Sequence, residues 1–168
     1  RRDGAGRLDL RPQGRQPILS EAVRLAAPGD APALALLLGI LFEQEAEFAA
    51  DPARQAAGLA RIIAAPDIGR VLLAGPAPAP LGMVVLLYTV STALGGRAAL
   101  LEDMVVAPPA SGQGLGAALI RAAIAQARQD GARRITLLTD ADNRRAQAFY
   151  RREGFQASPM TPYRLALD

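Results

Sequence analysis

The residues best suited to chemistry form a glycine-rich segment, SGQGLGAAL, over residues 111–119. Glycines at positions 112, 114 and 116 let a ligand approach the backbone closely, because they carry no Cβ. The segment follows a predicted strand and begins a predicted helix, whose first N–H groups and dipole favour an anion. The spacing therefore predicts a pyrophosphate site. Taken alone, the glycines fit a flexible turn that binds nothing about equally well.

Two ligand classes compete for this loop. Gly112, Gly114 and Ala117 fit the G-x-G-x-x-A dinucleotide pattern, and Asp140 stands at the end of the next predicted strand. A dinucleotide-binding fold normally begins with this unit and repeats it, whereas only 28 residues follow Asp140. The loop is also entered through the long connection Ala-Pro-Pro-Ala at 107–110. This context favours another pyrophosphate ligand and leaves a nucleotide-dependent oxidoreductase as an alternative.

Composition limits which side chains could react. The chain has no cysteine, histidine or lysine, which removes disulfides, thiolate nucleophiles and the commonest general base and metal ligand. Carboxylates, tyrosine, serine, threonine and backbone groups remain, and we expect no metal site. The net charge of +3 lies entirely in residues 1–15. The remaining chain is balanced, so we expect no nucleic-acid partner.

The elements that must position the loop follow from the apolar pattern. A chain of 168 residues suits a loose N-terminal tail over 1–19 and a single domain over 20–168. Closely spaced strands typical of an antiparallel meander are predicted at 22–27, 68–74, 83–91 and 97–106. Helices are predicted over about 31–48, with Asp30 as N-cap, and over 52–64, begun by Asp51-Pro52.

The pattern changes after residue 107. A helix over about 113–130, a strand over 135–140, a helix over 143–153, an extended stretch from Phe155 and a strand over 163–167 are predicted. The order predicts an α/β (α+β) fold with a mixed, mostly antiparallel central sheet and helices on both faces. The longest apolar run, 33–42, is too short to span a bilayer, and the N-terminal residues lack a signal-like apolar stretch. We expect a cytoplasmic protein without a membrane partner.

Two motifs in order resemble the GNAT superfamily of acyl-CoA-dependent N-acyltransferases. The family's strand end near L-x-V-x-P and loop R/Q-x-x-G-x-G/A resemble MVVAP at 104–108 and SGQGLG at 111–116. Its N-x-x-A-x-x-F-Y-x-x-x-G-F motif resembles NRRAQAFYRREGF at 143–155. With an opening strand and helix resembling RLAAPGDAPALALL, the likeness covers essentially 22–168. It implies a GNAT-like fold and transfer of an acetyl group from acetyl-CoA to a small-molecule or protein amine.

The resemblance also implies which residues bind coenzyme A. They are Met104, Val105, Val106, Ser111, Gly112, Gln113, Gly114, Leu115, Gly116, Ala117, Asn143, Ala146 and Tyr150. The pantetheine arm would lie between the strands at 100–106 and 135–140 and pair with backbone near Met104 and Val106. Ser111 replaces the family's Arg or Gln, a phosphate contact worth roughly 1.5–3 kcal/mol. Arg121, Arg144 or Arg145 could compensate.

Three side chains are candidates for catalysis. By family position Tyr150 would protonate the leaving thiolate, since a phenol with a pKa near 10 keeps its proton at neutral pH; a core aromatic is the alternative. Glu102 and Asp103 are candidate bases for the amine, and alternation along a strand predicts that at most one faces the cleft. Asn143 is expected to cap a helix and also to reach coenzyme A or the neighbouring strand.

Two further expectations concern the acceptor and the assembly. Three carboxylates near the end of the first predicted helix, Glu43, Glu45 and Glu47, could line the amine pocket. A non-catalytic acyl-CoA-binding module of the same fold remains the alternative to an enzyme. The resemblance also allows a homodimer.

Overall fold

A computed structural model describes residues 23–42 and 50–167. The predicted tail and the carboxylates at 43, 45 and 47 lie outside the described residues. The described strands are β1 (Arg24–Leu25), β2 (Gly69–Ala74), β3 (Gly82–Ser91), β4 (Gly96–Val106) and β5 (Ile135–Leu137). The described helices are α1 (Ala31–Phe42), α2 (Pro52–Ala64), α3 (Leu115–Gln129) and α4 (Arg144–Arg152), with short 3-10 turns at Pro28–Asp30 and Pro108–Ala110.

The five strands form one sheet in the order β1-β2-β3-β4-β5. The first four pair antiparallel, as the predicted meander requires. Only β4 and β5 are parallel, with Ala99 opposite Ile135 and Leu101 opposite Leu137. A parallel pair needs a long crossover, and α3 supplies it. The predicted mixed, mostly antiparallel sheet is confirmed.

Helices cover both faces of the sheet, as predicted. On one face α1 and α2 pack on alternate residues of β2 and β3, including Met83 and Val85. On the other face α3 packs on the intervening residues, including Val84 and Leu86. All four of these β3 side chains are fully buried. A strand covered on both faces is apolar at every position rather than at alternate ones, which explains the continuous apolar run of β3.

The helix starts agree only in part with the sequence. Asp51 caps α2 as predicted, accepting a hydrogen bond from the Arg54 N–H at 3.1 Å. The predicted N-cap role of Asp30 is wrong: its carboxylate accepts from the Ala27 N–H at 2.7 Å and pairs with Arg24 at 2.7 Å. A 3-10 turn precedes α1 and directs this carboxylate back towards β1.

The end of the chain differs most from expectation. β5 ends at Leu137 instead of residue 140, and Leu138 is exposed. The described residues after α4 include no strand, so the strand expected over 163–167 is not formed there. A strand requires a hydrogen-bonding neighbour as well as an alternating pattern, and no strand of the described sheet pairs with this segment. No helix within 23–42 or 50–167 is long and apolar enough to cross a membrane.

Candidate active site

The glycine loop adopts a conformation that suits glycine. Gly112 and Gly114 have φ of 75° and 85°, in the left-handed region that side chains disfavour. Gly114 is the N-cap of α3, so the helix begins two residues later than predicted. The Gln113 side chain donates to the Pro109 carbonyl at 2.7 Å and ties the loop to the preceding turn. Gln113 therefore has a structural role within the loop.

The first turn of α3 presents unpaired N–H groups. The first bond within this helix runs from the Ala118 N–H to the Gly114 carbonyl, at 3.1 Å. The amides of Leu115, Gly116 and Ala117 precede it and have no acceptor among the described residues. Residues 111–114 beside them are exposed to solvent. Three amides at a helix N-terminus, next to an open loop, can bind an anionic group.

A bulge in β4 lies just before this loop. Met83 of β3 pairs with Val105, but Val85 pairs with Glu102, so two β4 residues, Asp103 and Met104, oppose Val84 alone. Asp103 has a φ of 48°, a conformation few residues other than glycine adopt. Such an inserted residue reverses which positions face each side of a strand.

The reversal directs two backbone amides away from β3. The Ala107 N–H donates to the Leu81 carbonyl at 2.8 Å, so by alternation Val105 also faces β3 while Met104 and Val106 present their backbone groups to the opposite side. On that side pairing with β5 ends at Leu101 opposite Leu137. The backbone of Met104 and Val106 therefore borders a gap in the sheet.

Side chains from three elements meet beside this gap. A Cβ added to Gly116 would lie 3.5 Å from the Met104 Cε and 3.6 Å from the Phe149 Cζ. The end of β4, the start of α3 and the helix α4 thus converge. Tyr150 is part of the same apolar cluster and packs edge-on against Phe149, at 5.2 Å between ring centroids, and Phe155, at 5.8 Å.

The Tyr150 hydroxyl is the polar group in this aromatic cluster. It makes no hydrogen bond to any residue that the structure describes, and burial raises the pKa of its phenol above the usual value. The hydroxyl therefore keeps its proton at neutral pH and is available to a ligand. Both proposed roles of Tyr150, aromatic packing and proton donation, are compatible with this placement.

The start of α4 is held by its own side chains. The Asn143 side chain accepts from the Ala146 N–H at 3.0 Å, which confirms the predicted cap. Gln147, which the sequence analysis missed, donates to the carbonyls of Asp140 and Ala141 at 3.1 and 2.9 Å. It ties α4 to the segment that follows β5. The only indication in the sequence is that Gln147 is an amide residue on the inward side of an otherwise charged helix.

The arginines named as replacements for Ser111 differ in their surroundings. Arg121 pairs with Glu153 at 2.9 Å, so it is engaged on the surface of α3 and α4. Arg144 and Arg145 are exposed in the first turn of α4. Ser111 itself is exposed, and its N–H donates to the Pro108 carbonyl at 3.1 Å.

The two candidate carboxylates differ in their environment. Glu102 is exposed and lies opposite Val85, whose side chain belongs to the face covered by α1 and α2. Asp103 is half-buried at the bulge. The bulge begins immediately after Glu102, so the regular alternation on which that prediction was based is interrupted between the two residues. Across the described residues no group of three acidic side chains could hold a metal ion.

Comparisons with known proteins agree with this geometry. The family model for the acetyltransferase (GNAT) family matches residues 41–155. An uncharacterised N-acetyltransferase of Bacillus subtilis, YhfO, is 36% identical over 76 residues, which span 45% of this chain and 51% of that protein. The match thus spans about half the length of this relative.

Solved structures show the same fold over most of the chain. An integron cassette protein from a salt-marsh metagenome is 31% identical, with a TM-score of 0.75 over 87% of this chain and 90% of that one. A candidate acetyltransferase from Agrobacterium tumefaciens is 26% identical, with a TM-score of 0.71 over 87% and 99%. Glucosamine-6-phosphate N-acetyltransferase from Arabidopsis thaliana, 15% identical with a TM-score of 0.69 over 87% and 98%, shares the fold alone. This chain belongs to the GNAT family of acetyltransferases.

Proposed function

We propose that this protein transfers the acetyl group of acetyl-CoA to a primary amine. The observation that carries the proposal is the bulge at Asp103. It directs the backbone of Met104 and Val106 into a gap where β5 has ended, next to the unpaired amides of α3. A linear ligand with a diphosphate at one end and amide groups along its length fits such a row of backbone donors.

Each part of coenzyme A would be bound by a different set of residues. The amides of Leu115, Gly116 and Ala117 would bind the diphosphate, because a helix N-terminus stabilises negative charge. No heavy atom lies within 4 Å of a Cβ built on Gly112, so the loop leaves room for the phosphates. Val105 supports the strand from the buried side. The backbone of Met104 and Val106 would bind the pantetheine arm and place the thioester beside the bulge.

The reaction requires one bond to form and one to break. The neutral amine nitrogen attacks the thioester carbonyl carbon, and an amide N–H of β4 stabilises the oxyanion. The carbon–sulfur bond then breaks, and Tyr150 gives its proton to the departing thiolate and regains one from solvent. The proton lost by the amine passes to Glu102, to Asp103 or to water. The products are an amide and free coenzyme A.

Binding and turnover test the proposal separately. Calorimetry should detect coenzyme A and acetyl-CoA at micromolar to millimolar concentrations and detect no binding of NAD. Thiol release from acetyl-CoA should then depend on an amine, in a panel of amino acids, polyamines, amino sugars and peptides with free N-termini or lysines. Binding without release for any amine supports a non-catalytic acyl-CoA-binding module, and binding of NAD alone contradicts the proposal.

Two variants that preserve side-chain size test which group accepts the proton from the amine. If Glu102 accepts the proton, Glu102→Gln lowers kcat/KM by tenfold or more, while Asp103→Asn does not. The opposite pattern assigns the role to Asp103. An unchanged kcat/KM in both variants assigns the proton to water and removes both carboxylates from the mechanism.

A further inference from the structure

The side chains of Leu100 and Glu102 project from β4 towards the face of the sheet that carries α1 and α2. They lie opposite Leu87 and Val85 of β3, respectively, and both of these residues pack in the cluster under α1 and α2. Directly opposed residues of antiparallel strands share a face. Val85 is fully buried, whereas Leu100 is half-buried and Glu102 is exposed. The cover of the two helices therefore ends between β3 and β4 at this level of the sheet.

β5 extends this uncovered surface. Ile135 and Leu137 pack in the cluster under α3, so alternation directs Thr136 to the opposite face. Thr136 is exposed and lies beside Leu100 in the parallel register. The next residue after Leu137 is Leu138, which is 57% exposed and lies outside the cluster under α3. Alternation therefore places Leu138 on the same face as Thr136.

Leu138 and Glu102 lie where the gap between β4 and β5 begins. The last pair of the two strands is Leu101 opposite Leu137, and Glu102 and Leu138 are the residues that follow. Within the part of the chain that the structure describes, no hydrogen bond or ion pair engages the Glu102 carboxylate. Leu100 is about 7 Å away along β4, and the other neighbours on this face are also uncharged. We call the four residues Leu100, Glu102, Thr136 and Leu138 the acceptor surface.

We propose that the acceptor surface selects a primary amine carried by an uncharged apolar body, the class of alkyl and arylalkyl amines. This inference rests on the proposed function, which places the thioester at the bulge next to Glu102. The ammonium group of the incoming amine would meet the free carboxylate of Glu102 by charge complementarity. Its body would lie over Leu100 and Leu138 and lose contact with water, which is favourable for an apolar group. A second charge on the body would lose hydration there without gaining a partner.

The length and the charge of the amine test the proposal in the thiol-release assay. Each methylene group that the acceptor surface buries should raise kcat/KM by up to about fourfold, so kcat/KM should increase from ethylamine through butylamine to hexylamine. Hexamethylenediamine has the length of hexylamine and a second ammonium group, and its kcat/KM should be lower by about tenfold or more. A series without a length dependence, or a diamine that equals or exceeds hexylamine, overturns the proposal.

Two substitutions of Leu138 test whether the selection occurs at this surface. Leu138→Asn keeps the approximate size of the side chain and should lower the ratio of kcat/KM for hexylamine to that for ethylamine by about fourfold or more. Leu138→Asp should raise kcat/KM for hexamethylenediamine relative to hexylamine, because the new carboxylate can pair with the second ammonium group. Leu36→Asn, the same change at an exposed leucine of α1, should leave both ratios unchanged.

The outcomes separate this inference from the proposed function. Wild-type ratios in both Leu138 variants overturn the role of the acceptor surface. Thiol release with amino acids or polyamines and no preference for apolar amines overturns the inference alone, since acetyl transfer to an amine is then established. The absence of thiol release with every amine of the broad panel overturns the proposed function and this inference together.

Discussion

Removing the Tyr150 hydroxyl tests whether this side chain is an acid catalyst or a packing residue. The hydroxyl has no hydrogen-bond partner among the described residues, and the ring contacts with Phe149 and Phe155 involve no oxygen. Tyr150→Phe therefore keeps the packing, and the free energy of unfolding should change by less than about 0.5 kcal/mol. General acid catalysis contributes about 10²–10⁴-fold. We expect kcat to fall within that range while the Kd for coenzyme A stays within about twofold.

The assay is thiol release from acetyl-CoA with a saturating amine, alongside calorimetry and thermal unfolding. Tyr163→Phe is the matched control, since it removes a hydroxyl from an exposed tyrosine and should leave kcat unchanged. Burial raises the pKa of Tyr150 above its usual value. Loss of this acid should therefore lower the wild-type rate only at a pH above the usual pKa of a phenol, and this decrease at high pH should vanish in Tyr150→Phe. An unchanged kcat in the variant refutes the proton-donor role.

Three other perturbations have definite expected results. Ser111→Arg restores the side chain of the family pattern and should lower the Kd for coenzyme A about tenfold in calorimetry; an unchanged Kd at low salt would mean that residue 111 does not face the phosphates. Asp130 accepts from Arg70 at 2.7 Å and from Tyr88 at 2.6 Å, and its side chain is 10% exposed. Asp130→Asn should lower the free energy of unfolding in urea by about 3 kcal/mol, whereas a loss below 1 kcal/mol would show that the network is incidental. The Arg24 guanidinium lowers the pKa of Asp30 to about 2, so Asp30→Asn should cost about 1 kcal/mol at pH 7, allowing for the exposure of Arg24. The difference should shrink as the pH falls from about 4 towards 2, because the lowered pKa stabilises the fold only while Asp30 is ionised, and a difference that persists at pH 2 would contradict the ion pair.

The buried strands and helices were predictable because burial selects apolar residues, and these residues form recognisable patterns in the sequence. The runs that became β2, β3 and β4 are apolar since both faces are covered, and Asp51-Pro52 begins α2 by local capping chemistry. On α1 the buried residues include Leu34, Leu37 and Leu38, whose spacing of three and four residues matches helical periodicity. Burial restricts each position to apolar residues, and capping depends on residues three or four positions away, so both leave a recognisable pattern in the sequence.

Features that depend on distant partners were not predictable. The sequence Glu-Asp at 102–103 does not indicate a bulge, because the extra residue can be recognised only when β4 is aligned with β3. The sequence predicts β5 to residue 140, but its pairing with β4 stops at Leu101 opposite Leu137. The alternating pattern at 163–167 predicts a strand, but a strand forms only where a neighbouring strand pairs with it, and the pattern does not report that neighbour. The motif at 143–155 placed Asn143 and Tyr150 on α4 but did not indicate Gln147.

Backbone amide resonances test the central claim most directly. In a uniformly nitrogen-15-labelled sample titrated with coenzyme A, the account predicts the largest chemical-shift changes at Met104, Val106 and the amides of Leu115, Gly116 and Ala117. The amide of Val105, which faces β3, should shift much less. Saturable binding whose largest changes lie elsewhere, or spectra that do not change at millimolar coenzyme A, would contradict the claim that these amides bind the cofactor.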